Sequence, residues 1–406
     1  MALMPVADAL AAVLAGAEAL PADSVALDDA HRRVLARDLP ALRTQPPQPM
    51  SAMDGYAVRA ADATRGARLT VVGEVAAGRP FDRVLKTGEA ARIFTGGVIP
   101  DGADAVVIQE DAARDGDIVT VNEAATPSKN IRPAGVDFTE GSVLLRAGQL
   151  LSDRDLSLAA GMNYPRLPVH RRPTLALLAT GDELVMPGQP LGPGQIVYSN
   201  GYALRALARA EGAEVIDLGV AADTIEATTA GIRAARDANA DILVTTGGAS
   251  VGDHDLVQAA LKAEGVAMAF WRIAMRPGKP MMHGRLDTAR GPMRVIGLPD
   301  NPVSSYVCAT LFMVPLIRAL SGRRDVHLAV DSALLGDDVP ANDQREDYLR
   351  AHLELRGDGA LIARSVGKQD SSLLGNLSVA EGLLIRPAHA PAAKAGDPCR
   401  VIRLPR

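Results

Sequence analysis

Two segments of this chain, Leu175-Ala176-Leu177-Leu178-Ala179 and Asp241-Ile242-Leu243-Val244-Thr245, are apolar at nearly every position and run into a Thr-Gly turn. A strand with one wet face alternates polar and apolar residues. A strand without a polar face must be covered on both sides, which is the condition of a parallel sheet held between helices. Ala-rich helical stretches separate the runs. Met293-Arg294-Val295-Ile296-Gly297 repeats the device and leads through the loop at Leu298 to Pro302 into a helix over 303–320. The pattern predicts a central α/β domain with a mostly parallel sheet over 169–322.

The chain has 406 residues, more than one such domain uses, so two to four domains are expected. Over 44–133, short β-branched runs such as Leu69-Thr70-Val71-Val72 and Ala105-Val106-Val107-Ile108 alternate with Gly-rich turns, predicting a β-rich inserted domain. Its flanks, 1–43 and 134–168, are expected to pair as a helical linker domain. The first flank carries apolar residues at helical spacing (Val6, Leu10, Val13, Leu14, Ala17) until Pro21. From 323 to 406, alternation returns around Gly357-Asp358-Gly359, predicting a small all-β C-terminal domain.

Several function classes are excluded at this stage. Lys and Arg number 43 against 48 Asp and Glu, for a net charge of −5, and aromatics are 3%, so no nucleic-acid partner is expected. Cys308 and Cys399 stand far apart without a CxxC, which supports neither a disulfide framework nor a zinc knuckle. The apolar start contains Asp8 and Glu18 and has no Lys or Arg before it, so neither a signal peptide nor a membrane span is expected, and the expected location is cytoplasmic.

The strongest chemical signal is Thr245-Thr246-Gly247-Gly248-Ala249-Ser250-Val251-Gly252-Asp253-His254-Asp255, between a buried strand and a helix. Glycines let backbone amides approach a ligand, and amides at a helix start face an anion, so the turn suits a phosphate. It is neither GxGxxG nor a Walker loop. Carboxylates beside a phosphate call for a hard cation between them, which favours magnesium. Arg272, Arg276 and Lys279, around the rigid Pro277-Gly278 turn and Pro280, form either a solvated charged loop or an oxyanion clamp. Asp54 and Asp137 sit in ordinary turn contexts. Glu183 follows a buried strand at the carboxyl edge, where such sheets bind ligands. Neither a histidine cluster nor a Gly-x-Ser-x-Gly elbow is present.

Six ordered motifs then carry a resemblance: Ser51-Ala52-Met53-Asp54-Gly55-Tyr56-Ala57; Thr95-Gly96-Gly97 with Pro100 to Val106; Thr180-Gly181-Asp182-Glu183-Leu184; the 246–253 turn; Pro277-Gly278-Lys279-Pro280; and Leu298-Pro299-Asp300-Asn301-Pro302-Val303-Ser304. In this order they resemble the molybdopterin molybdenumtransferase family, which includes MoeA and the E domain of gephyrin. The resemblance implies a homodimer of four-domain subunits that turns adenylylated molybdopterin and molybdate into molybdenum cofactor and AMP, with magnesium. It implies that Gly247, Gly248, Ser250, Gly252, Pro299, Asn301, Pro302 and Ser304 hold the adenylylated pterin, and that Asp223 and Asp255 are magnesium carboxylates. Asp54, Thr95, Asp137 and Glu183 resemble the family's catalytic polar set. Arg276, Lys279, Pro280, Arg345 and Ser371 resemble its molybdate pocket. Transient contacts with the adenylyltransferase of the preceding step and with molybdoenzyme chaperones are implied as well.

Five positions depart from the family pattern: Asp300 and Asp370 stand where glycine is usual, Arg272 and Arg276 where Lys is frequent, and Met50 where a polar residue precedes Ser51. Two alternatives compete with the transferase. One is an adenylyltransferase or pyrophosphate-cleaving relative sharing the α/β domain. The other is a non-catalytic scaffold of the same fold, against which intact Asp54, Asp255 and Lys279 weigh.

Overall fold

The computed structural model describes residues 3–247 and 256–404. The apolar runs form the middle of a six-stranded sheet in the spatial order Glu214–Ala221, Thr174–Thr180, Ile242–Thr246, Gly291–Leu298, Pro280–Thr288 and Ala267–Arg272. The first four strands are parallel; Pro280–Thr288 runs opposite to them, and Ala267–Arg272, antiparallel to it, runs with them again. Side chains of a strand alternate between faces, so each apolar run is divided between two cores. Leu175, Leu177, Ile242, Val244 and Ile296 enter one core, and Ala176, Leu178, Leu243 and Val295 the other. Each fully buried Leu or Ile contributes about 2 kcal/mol, which is why both faces of these runs are mainly apolar.

The first core is roofed by Asn200–Ala210 and by a long helix that runs from Pro302 to Leu320. That helix is apolar enough to cross a membrane, yet 83% of it is buried inside the protein. It widens into a π turn at Ala309–Met313, just before Pro315, a residue with no N–H to donate to the preceding turn. Ile225–Asp237 and Leu256–Ala263 cover the second face.

The predicted N-terminal helix forms over Val6–Leu14, and its buried Ala9 and Val13 pack into the first core of the α/β unit beside Phe312 and Leu316. The flanks of the inserted region are joined mainly by strands. Ala22–Ala26 pairs antiparallel with Arg166–His170, and Leu39–Pro40 with Val143–Leu145, around one helix at Asp153–Gly161. That helix starts in a capping box, with Ser152 and Asp155 bonding each other's backbone amides. Leu35, Leu39, Leu145, Leu167 and Val169 form the core the flanks share.

Between the flanks lies a second six-stranded sheet, from Ala105–Ile108 at one edge to Ala112–Asp115 at the other. In the tail, Glu346–Leu355 pairs with both Leu361–Ser365 and Gly382–Arg386, closing the sheet on itself. Its edge is extended by Met275–Arg276, a two-residue strand lent by the α/β unit. The Arg276 turn is thereby fixed to the tail.

Candidate functional site

At the carboxyl ends of the parallel strands a pocket of about 310 Å³ opens, lined by Thr180, Glu183, Tyr198, Gly247, Asn301 and Ser372 among others. Gly247 sits where two strand ends nearly touch. It has φ +104°, and a Cβ there would lie 2.3 Å from Thr180 Oγ1 and 2.5 Å from Thr180 O. No other residue fits, so the turn keeps bare backbone against the ligand space. The neighbouring Gly181 has φ +146°, and the Glu183 carboxylate folds back to within 2.7 Å of where its Cβ would stand. That contact holds Glu183 at the mouth. Gly248, Ser250, Gly252 and Asp255 lie outside the described residues.

The 298–304 loop closes the other wall. Asn301 and Pro302 line the pocket, while Pro299 and Ser304 are buried behind it. Asn301 is the N-cap and its carbonyl accepts from Ser305 N at 2.8 Å. The Val303 amide is already taken by Ser371 O at 3.1 Å, so one free amide of the helix start belongs to the tail. Asp300 is exposed, does not adopt a left-handed backbone, and its carbonyl accepts from Asn200 Nδ2 at 2.6 Å.

Tyr198, Asn200 and Ser372 line the pocket although sequence motifs did not single them out. The Tyr198 hydroxyl is buried without a hydrogen-bond partner among the described residues, and Gly201 makes room for it: a Cβ there would meet it at 1.8 Å. Tyr198-Ser199-Asn200, at the start of a helix beside a strand end, was the available signal. Ser372 comes from the tail, held by Asp370 Oδ1, which accepts from Ser372 N at 2.8 Å and Ser372 Oγ at 2.6 Å. The departure from glycine at 370 thus has a structural use.

Asp223 and Asp182 face each other across two loops, each amide donating to the other's carboxylate, at 3.3 Å and 3.2 Å. Among the described residues no three His, Cys, Asp or Glu side chains gather as a ready metal cage.

Asp54 and Thr95 form a separate cluster. Asp54 Oδ1 accepts from the Thr95 amide at 2.7 Å and from Thr95 Oγ1 at 2.8 Å. These bonds, backbone first, hold the Asp54 carboxyl below the usual carboxylate range. Ser51 and Gly55 of the same motif build the turn. Ser51 Oγ donates to Met53 O at 2.5 Å, and a Cβ at Gly55 would stand 2.0 Å from Val107 O. Asp137 is exposed, and its amide donates to Gln45 O at 3.1 Å. No residue of 44–133 lines the pocket, so the polar set predicted as one group is divided within the single chain.

The cationic turn is likewise partly committed. Arg276 forks onto Asp347, with Nε at 2.9 Å and Nη2 at 2.7 Å, and Asp343 lies between Arg276, at 3.7 Å, and Arg345, at 3.1 Å. Arg276 and Arg345 are therefore brought together, both ion-paired. Lys279 is exposed next to Pro280, its carbonyl accepting from Ile273 N at 3.0 Å. Gly278 presses on Cys308, whose buried thiol is pushed far above its ordinary range and serves as packing.

A parallel sheet with a pocket at its carboxyl ends, finished by a β tail, defines the class: residues 176–319 match the model of the probable molybdopterin binding domain. Residues 4–162 match the MoeA N-terminal region (domain I and II), and 332–404 the MoeA C-terminal region (domain IV). The chain belongs to the MoeA family of molybdopterin molybdenumtransferases. It is 36% identical to the molybdopterin molybdenumtransferase of a Nostoc species over 385 residues, covering 93% of this chain and 87% of the relative. With the enzyme of that name from Haemophilus influenzae it shares 35% over 379 residues, covering 89% and 92%. The crystal structure of the molybdopterin biosynthesis MoeA protein from Pyrococcus horikoshii superposes with a TM-score of 0.83 at 31% identity, covering 99% of both chains.

Proposed function

We propose that this protein catalyses the molybdenum-inserting step of molybdenum cofactor biosynthesis, converting adenylylated molybdopterin and molybdate to molybdenum cofactor and AMP. The observation that carries this is the pocket where Gly247 and Asn301 of the α/β unit meet Ser372 of the tail. A parallel-sheet mouth alone suits a nucleotide or pterin phosphate. A tail that lends the pocket a wall and brings Arg345 to the Arg276 turn would supply room and charge for a second anion. The backbone of Gly247 with Asn301 and Pro302 holds the pterin side, aided by Gly248, Ser250, Gly252, Pro299 and Ser304. Lys279 and Arg345, with Pro280 and Ser371, receive molybdate, while Arg276 secures their turn to the tail. Glu183, which lines the mouth, would handle a proton near the reacting phosphate.

The carboxylates Asp182 and Asp223 offer hard oxygens at this mouth, a donor set that fits magnesium. Asp223 and Asp255 would hold it, and there it would offset the charge of the pyrophosphate. Asp54, Thr95 and Asp137 lie away from this chain's own pocket, which is the arrangement expected if a second copy brings them to it. We therefore read the working unit as a homodimer, in the cytoplasm.

The test is AMP release from purified protein given adenylylated molybdopterin. Release that requires both molybdate and magnesium supports the reading, and release indifferent to molybdate sinks it. Mixing Asp54→Asn with Asp255→Asn, each inactive alone, restores part of the activity if the cleft is shared between subunits. Lys279→Ala raises the molybdate requirement while leaving pterin binding intact.

A further inference from the structure

The strands that open the pterin pocket at their carboxyl ends also share an opposite edge. There the 16–21 segment, the 238–241 turn and the 288–292 hairpin surround a second cavity, of about 510 Å³. No residue lines both cavities.

Arg294 lines this one. It lies in a central strand, opposite Ile242 on one side and Arg285 on the other, and is only 3% exposed. Its amide is satisfied by Asp241 O at 2.8 Å. Its guanidinium has no hydrogen bond or ion pair to any described residue, and Nη2 is sealed from solvent. The nearby carboxylates are engaged. Asp241 holds both prongs of Arg171, at 2.8 Å and 2.9 Å, and accepts from Thr174 N at 2.7 Å. Asp287 accepts from Arg285 at 2.7 Å.

A buried cation whose desolvation is not offset by a direct ion pair is strongly unfavourable, so a guanidinium held this way is either displaced, paired or reserved for a ligand. Burial, reinforced by Arg285 and only partly offset by Asp287, lowers its proton affinity. The chain leaves space on its open side. Gly16, at φ +61°, approaches Nη2 with no side chain; a Cβ there would come within 3.6 Å. Arg290 stands exposed at the rim, against a single lining carboxylate, Glu18, that carries no ion pair among the described residues. Two uncommitted cations facing one carboxylate leave the cavity net positive.

We propose that this cavity is an oxyanion-binding site, in which Arg294 turns its guanidinium charge to the carboxylate or phosphate group of a small metabolite and Arg290 closes the rim. A weakly hydrated guanidinium that stays charged is what a buried site of this kind can hold and a Lys ammonium is not. The ligand would bind at the edge of the sheet away from the pterin, independently of the transferase chemistry.

Thermal unfolding and calorimetric titration of the full chain with inorganic phosphate and, separately, succinate, at ionic strength fixed by chloride, test this. A bound anion raises the midpoint by about 3–5 °C at roughly a hundredfold excess over Kd. Whichever anion binds more tightly names the head group. Arg294→Met should lose at least about tenfold in affinity, keep molybdate-dependent AMP release, and in the absence of anion be no less stable than the parent. Lys279→Ala should retain the response, which separates this site from the molybdate pocket. The proposal fails if neither anion acts beyond chloride, or if Arg294→Met responds like the parent. It fails equally if Arg294→Met unfolds where Arg294→Lys does not, or if Arg294→Met alters the sedimentation of the assembly, since Arg294 would then be a structural or interface residue.

Discussion

Thr95 gives both its backbone amide and its hydroxyl to one oxygen of Asp54, at 2.7 Å and 2.8 Å, across 41 residues of sequence. The second carboxylate oxygen is left to point elsewhere. Two donors on one oxygen fix the direction of the carboxylate as well as its charge.

Thr95→Val keeps the amide bond and removes the hydroxyl. The Asp54 carboxyl is held below its ordinary value, so what the pair contributes is present above the ordinary carboxylate range and is lost as pH falls through the depressed value. The variant should protonate Asp54 at higher pH, moving the acid limb of AMP release upward, and turnover near neutrality should fall about 10- to 100-fold through lost orientation. A pH–rate profile that does not move would remove Asp54 from the chemistry.

Gly247→Ala should be costly for two separable reasons, the positive φ and the approach to Thr180. A loss of about 1–3 kcal/mol in urea unfolding is expected, with weakened pterin binding. Adding Thr180→Ala relieves the contact with Oγ1 but not the one with the carbonyl, so the double variant should recover only a fraction.

Arg276 is half exposed while Asp347 is buried, so the two ends of this pair are not equivalent. Arg276→Ala strands a buried carboxylate and should destabilise by about 1–3 kcal/mol, whereas Arg276→Lys should lose less. Chemical unfolding of both variants, alongside the molybdate dependence of AMP release, distinguishes anchoring of the turn from direct contact with molybdate.

Burial, with Arg294 adding repulsion, lowers the His283 imidazole from its ordinary value to about 4. Between pH ~6.5 and about 4 the unfolded chain binds a proton the folded one refuses, so stability falls as pH falls through that window and is fully present above it. A shift of this size corresponds to at most about 3 kcal/mol. His283→Phe should flatten the urea-unfolding stability over the same window; an unchanged slope would assign the acid sensitivity to other groups.

What the sequence determined on its own is what lies in continuous runs and ordered motifs. Leu175 to Ala179 and Ile242 to Thr245 have no polar face, so a doubly covered parallel sheet was the available solution, and its carboxyl edge located Glu183 and Gly247. The six motifs carried the family. Tertiary structure decided which charges meet. Arg276 finds Asp347 because its two-residue strand joins the tail sheet, and Ser372 reaches the pocket because Asp370 turns the chain there. Asp54 and Thr95 pair with each other and stay clear of that pocket. Arg294 sits in an apolar run that reads as a buried strand, and only the closing of the sheet shows its Nη2 to be buried without a hydrogen-bond partner. Apolar burial is local and periodic, so it is written along the chain. Ion pairing is directional and acts over a few ångströms, so residues distant in sequence cannot be matched until packing sets their separation.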